Sequence, residues 1–232
     1  VTEDETAFSA NLDNFPLRFA NSFLPDSLRL AGSAIAAADL RRQDGEWRGT
    51  VSWKQDDTVL QVLDEGRQPT DVVIPQSEFN LTLQDGGAEG FAALAIEPGI
   101  SAELELTLAE LTANTPIIAE LQFAGSDWEW VPAVFPAIDN FAGDISGTVN
   151  AAGPLQSPEF DGSFEWRGGS LAVPVLNVPV TEINLTVAGS SDGAATINGK
   201  ARAGDGDLSV EGQLENIMLP TRSVRVALNG SS

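Results

Sequence analysis

The stretch Thr181-Glu182-Ile183-Asn184-Leu185-Thr186-Val187 decides the fold class. Ile183, Leu185 and Val187 alternate with Glu182, Asn184 and Thr186. A period of two places every apolar side chain on one side of an extended strand and turns the polar set to water. Leu208, Val210, Gly212 and Leu214 repeat the pattern against Asp207, Ser209, Glu211 and Gln213, and Leu104, Leu106 and Leu108 repeat it against Glu103, Glu105 and Thr107. Between such runs stand Asp44-Gly45, Asp85-Gly86-Gly87, Asp192-Gly193 and Asp205-Gly206, which suit positive φ in tight hairpin turns. The expectation is a β meander. A parallel sheet would need helical crossovers and continuous apolar runs.

Two segments break the rhythm. From Asp127 to Ala142, Trp128, Val131, Val134, Phe135, Ile138 and Phe141 recur at three-to-four spacing. That spacing predicts a short amphipathic helix capped by Ser126 or Asp127 and shortened or kinked by Pro136. Asn14 to Pro25, with Phe15, Phe19, Phe23 and Leu24, is a weaker version of the same thing. These helices head an internal duplication. Gly32 and Gly49-Thr50-Val51-Ser52-Trp53 follow the first, and Gly143 and Gly162-Ser163-Phe164-Glu165-Trp166 follow the second. Glu78-Phe79-Asn80-Leu81-Thr82-Leu83 is answered by Glu182-Ile183-Asn184-Leu185-Thr186-Val187. The expected units are residues 1–125 and 126–232, continuous with one another, as in elongated repeat architectures.

Composition removes much chemistry. The chain has no Cys, His or Tyr, so disulfides, thiolate zinc sites, Cys nucleophiles and His-based triads are excluded together. Twelve Lys plus Arg stand against 34 Asp plus Glu, a net charge of −22. Such a surface repels phosphate backbones and anionic headgroups, so no nucleic acid partner is expected. No apolar run approaches the roughly 20 residues of a membrane-spanning helix. The chain starts at Val1 without Met and stops just after the strand-like run Ser223 to Leu228, which reads as a piece cut from a longer protein.

Paired carboxylates are the remaining catalytic candidates: Asp56-Asp57, Asp64-Glu65, and Glu159 with Asp161. Glycosidase carboxylates converge across a sugar from separate elements, whereas adjacent residues on a strand point to opposite faces. Gly204-Asp205-Gly206-Asp207-Leu208 occurs once, while calcium-binding β-rolls repeat such a word many times. Lys54 and Lys200 sit in no Ser-x-x-Lys word. No enzyme, metal or cofactor is expected. A meander with one apolar face must close on itself, pair with a second sheet, or accept something else. Tandem units that elongate rather than close leave an apolar trough suited to acyl chains, each buried methylene contributing about 0.8 kcal/mol.

The order of words from Trp130 to Leu214 resembles the C-terminal part of TamB-type envelope proteins. It runs from Phe141-Ala142-Gly143 through Asp144-Ile145-Ser146-Gly147-Thr148-Val149 to Gly153-Pro154-Leu155 and Ser157-Pro158-Glu159-Phe160-Asp161-Gly162. A turn at Gly168-Gly169 then precedes Ser170 to Pro174, and the runs at Ile183 to Val187 and Gly204 to Leu214 close it. The first unit, Phe15 to Trp53, fits more loosely. The resemblance implies a tapered, open curled β-sheet (a β-taco) with an apolar interior. The implied setting is the periplasm, as part of a protein anchored in the inner membrane elsewhere in its chain. The implied role is moving phospholipid between the membranes and assisting outer-membrane protein assembly. A TamA-like outer-membrane barrel protein would be the partner, contacted outside this piece. Under this reading Phe164, Trp166, Leu171, Val173, Ile183, Leu185 and Val187 face the trough, with Ile197, Leu208, Val210 and Leu214. The first unit adds Leu81, Leu83, Leu104 and Leu106. The alternative is a closed β-sandwich or β-solenoid module serving as adhesin or scaffold.

Overall fold

A computed structural model describes residues 6–63, 69–112, 114–135, 137–174, 178–215 and 223–231. The alternating runs all become strands: β1 (Thr6–Pro16), β2 (Leu28–Gln43), β3 (Glu46–Val62), β4 (Thr70–Gln84), β5 (Gly87–Ile96) and β6 (Ile100–Leu108). They continue as β7 (Pro116–Gly125), β8 (Asn140–Pro154), β9 (Glu159–Ala172), β10 (Val180–Gly189), β11 (Ala195–Ala203), β12 (Gly206–Glu215) and β13 (Ser223–Ser231). Each strand lies beside its chain neighbour, in the order β1 to β13, in one antiparallel sheet. β1 and β13 stand at the two ends of that order. The sheet is open, and the mostly β, open-sheet class expected above holds.

The hairpin turns use the expected residues. Asp44 and Gly45 take φ of 53° and 87°, and Asp85 and Gly86 take 52° and 77°, the twist that matches right-handed strands. The last turn is shifted by one position. Gly204 takes the positive φ of 61°, while Gly206 opens β12.

Both expected helices are much shorter than their periodicity. The first is a 3-10 helix at Leu17–Ser22, with β1 running on to Pro16. The second, α1, spans only Val131–Val134 and has no side-chain cap. Asp127 caps a turn instead, its Oδ1 accepting the Glu129 N–H at 3.1 Å. Pro136 lies outside the described residues, and α1 ends before it, as a residue lacking an N–H and crowding the preceding turn requires. A four-residue helix does not outlast nucleation cost by itself, so packing of its apolar side chains holds it.

Three strands carry an extra residue. Asn14, Asp57 and Glu182 sit at φ of 57°, 52° and 51°, each beside a register shift, between Leu12 and Phe15, between Ala31 and Ser33 on the facing strand, and between Thr181 and Asn184. Such bulges re-aim the chain so that residues on either side of an irregularity still face the same way. Gly168-Gly169, expected as a turn, is another. β9 runs straight through it, with Gly168 at φ 57° and the register against β10 slipping there. Gly169 leaves room for the Trp166 indole, which approaches within 2.5 Å of where a Cβ would sit.

The chain packs as two compact units. One is built from the described residues up to Glu97 with Ser101–Leu121 and Ala152–Pro158. Its buried residues are Leu17, Ala34, Gln55, Thr58, Val62 and Val72 among others. The other comprises Pro98–Ile100, Gln122–Ala151 and the chain from Glu159 onward. Its core is Ile145, Trp166 and Ile183. Two pairs of glycines in the similar words have like backbone surroundings. Gly32 and Gly143 each follow a helical turn with φ of 126° and 115°. Gly49 and Gly162 each lie where a Cβ would strike the facing strand's carbonyl, that of Asp39 or Thr148.

Candidate functional site

In the second unit the register lines up apolar side chains strand by strand. Phe164 faces Val187, Val187 faces Ile197, and the row continues through Gly212 to Val226. Beside it runs Trp166, Leu185, Gly199, Val210 and Leu228. Leu214 opposite Ala195, and Leu208 opposite Ala201, extend the apolar surface on either side. The intervening rows are polar: Glu165, Thr186, Asn198 and Glu211, then Asn184, Lys200, Ser209 and Asn229. One face is therefore apolar across five strands and the other mainly polar, with Ala227 opposite Glu211 and Ala188 opposite Thr196 as its small apolar members, because most registers pair like with like. Gly199 sits within an apolar row for a packing reason: Leu185 Cδ1 lies 2.8 Å from where its Cβ would be.

Cover over this face is uneven. Ile145 and Trp166 are each 9% exposed and Ile183 8%. Phe141 stacks on Trp166 at 4.9 Å between centroids, and Trp128 meets Phe141 edge-on at 5.6 Å. Both indoles are pinned by backbone acceptors, Trp128 Nε1 donating to Gly143 O at 2.9 Å and Trp166 Nε1 to Ala142 O at 3.0 Å. Away from this cluster, Phe164, Leu185, Val187, Ile197, Leu208, Val210 and Leu214 are half-buried. At β13, Val226 and Leu228 are exposed, Leu228 by 66%.

The first unit repeats the arrangement. Leu81 stands between Val51 and Gly90, and Leu83 between Gly49 and Ala88. Leu106 approaches Leu81 over Gly90, their side chains 3.5 and 3.6 Å from where a Cβ would sit. Leu104 is exposed on the same strand as half-buried Leu106. Of the other residues expected at the face, Leu171 pairs with Val180, and Val173 lies just beyond the end of β9. Val51, Trp53 and Ile145, as well as Val226 and Leu228, are further apolar residues here that are not among those expected from the sequence. The alternation of Val51 and Trp53 with Thr50 and Ser52, and of Val226 and Leu228 with Arg225 and Ala227, is the signal that finds them. The row Ala34, Gln55, Ser77 and Leu94 interrupts the face with buried polarity. Gln55 donates from Nε2 to Ile74 O at 2.8 Å and accepts from Ser77 Oγ at 2.5 Å.

The carboxylate pairs are dispersed. Asp56 pairs with Lys54 at 3.6 Å, Asp57 forms the β3 bulge, and Asp161 accepts from Asn150 at 2.8 Å. Asp64-Glu65 lies outside the described residues. Arg202 on the polar face is held by Glu182 and Asp207 at 3.5 and 3.7 Å. Among the described residues no group of three or more His, Cys, Asp or Glu could hold a metal ion. Among them, too, no helix is long and apolar enough to cross a membrane.

A protein-family model described as TamB, N-terminal domain, matches residues 2–165. The chain belongs to the TamB family. Membership brings an envelope setting and association with TamA-like partners in general. The words at 130–214 resemble the C-terminal part of TamB, whereas the match is to the N-terminal domain and takes in the loosely fitting first unit. The physical reason is repetition. Units that build the same strand pattern carry the same local words, so those words mark the family but not the position along it. No curated protein and no solved structure matches this TamB chain.

Proposed function

We propose that this TamB chain shelters phospholipid acyl tails against its apolar rows. The headgroups stay in water, and tails slide along the lining between the inner and outer membranes. It does so without catalysis or cofactor, in the periplasm, as part of a protein anchored in the inner membrane. Lipid delivery in turn supports outer-membrane protein assembly, with a TamA-like barrel engaged through regions outside this chain. One observation carries the reading. Rows of Leu, Val, Ile and Phe cross β9 to β13 on a single face and stay partly accessible, while the reverse face is mainly polar. An apolar strip of that length is ordinarily buried or used. Each methylene laid on it recovers about 0.8 kcal/mol.

The test is native mass spectrometry with lipid extraction on the purified chain. Co-purifying phospholipid, or uptake of added phospholipid, is expected. Leu185→Asp should abolish it, because desolvating a carboxylate under an acyl chain costs several kcal/mol. Thr186→Asp, on the opposite face of the same strand, should not. A lipid-free protein that refuses added phospholipid, or equal loss in both still-folded variants, would move the assignment to a structural module.

A further inference from the structure

The segment Ser126–Phe135 lies between β7 and β8 and supplies Trp128, the outer ring over the Phe141–Trp166 stack. Its backbone bonds are local. Val131 N–H donates to Trp128 O, Ala133 and Val134 N–H to Trp130 O, and Phe135 N–H to Val131 O. The chain rejoins the sheet at Asp139, whose N–H donates to Ala172 O at 2.8 Å. Among the described residues, the segment's one hydrogen bond to the sheet is Trp128 Nε1 to Gly143 O. The neighbouring Trp130 has its Nε1 shut off from solvent with no partner, and α1 has no side-chain cap. Seating the segment therefore leaves one donor unsatisfied, and lifting it breaks one hydrogen bond and one aromatic contact and uncovers Val131, 6% exposed when seated, while the strand ladders stay whole.

We propose that Ser126–Phe135 is a strap that lifts off the apolar face independently of the sheet, baring the sector of Phe141, Trp166, Ile145 and Ile183. A segment with only internal backbone bonds and a few side-chain anchors opens at a small fraction of the global unfolding free energy. Trp128 is the latch. Trp130 works against closure, since an unpaired buried donor penalises the seated state. The consequence, that lifting lengthens the lining offered to an acyl chain, rests on the lipid reading above, whereas the motion itself does not.

Hydrogen exchange followed by mass spectrometry tests this on the intact chain. In the wild type, Trp128–Phe135 amides should exchange at least about 100-fold faster than those of β8 and β9. Trp128→Phe, which removes the hydrogen bond to Gly143, should speed strap exchange about tenfold. Trp130→Phe, which removes the unpaired donor, should leave it no faster than the wild type. Unchanged β10–β13 protection shows that each variant is folded. Strap amides as protected as β8, or equal acceleration by the two substitutions, would overturn the proposal. With dihexanoyl phosphatidylcholine added, faster strap exchange supports the coupling to acyl chains. Unchanged exchange in a chain that mass spectrometry shows to bind that lipid sinks the coupling. Absence of any binding sinks the lipid reading and leaves the strap standing.

Discussion

Asp192 ties the β10–β11 turn, accepting from Ser190 Oγ at 2.6 Å and from Ala194 N–H at 3.1 Å. The Ser190 hydroxyl first, and then the Ala194 N–H, hold its carboxyl below the usual aspartate range. A carboxylate whose folded pKa is depressed contributes stability that is fully present above its unfolded pKa. That contribution is lost as pH falls through the lowered folded value. Asp192→Ala should therefore be less stable than the wild type at neutral pH, and the gap should narrow below the usual aspartate range. Urea midpoints of the two proteins between about pH 6 and pH 2 check the sign. A gap that widened on acidification would exclude this role. At the same scale, Asp-Gly pairs were legible as turns because positive φ is a local demand that few residues meet. Gly168-Gly169 was not, since the same demand arises inside a strand.

Within elements, the polar interruption at Gln55 is informative. Gln55 and Ser77 face each other across β3 and β4 and satisfy one another in a place that is 4% exposed at Gln55. Ser77→Ala strands the Gln55 carbonyl oxygen and should cost about 1–3 kcal/mol. Gln55→Leu combined with Ser77→Ala removes both members of that pair and should recover part of that loss, the Ile74 carbonyl still losing the Gln55 Nε2 donor. Chemical denaturation of the two single variants and the double one closes the cycle, and strictly additive losses would contradict the pairing. The bulges that set the strand faces have a written signature. Asp13-Asn14 and Thr181-Glu182 each place two polar residues in succession within an alternating run, and Asp56-Asp57 lies within the longer polar run Lys54-Gln55-Asp56-Asp57-Thr58, none of which a regular two-faced strand accommodates without a slip. The helices fall short of their periodicity for the opposite reason. Three-to-four spacing continued into residues that strand pairing claims, and β8 already begins at Asn140.

For the whole molecule, a net charge of −22 opposes every compact state by self-repulsion. Salt shortens the screening length from about 30 Å at 0.01 M to about 10 Å at 0.1 M. The thermal midpoint should thus rise between those concentrations of sodium chloride, and calorimetry showing a fall would mean that ion pairs such as Arg202 with Glu182 outweigh the repulsion. The sequence by itself determined the strand-rich class, the separation of an apolar from a polar face, the hairpin turns and the family. Each of these is written in the spacing of neighbouring residues. Only the tertiary structure decided which stretches of the apolar face are covered. Leu185 and Ile183 are indistinguishable as members of one alternating run, yet Ile183 is buried beside Trp166 while Leu185 stays half-open. The cover comes from Trp128 and Phe141, residues that are distant in sequence from β10. Burial is set by what packs from elsewhere in the chain, and no local period records it.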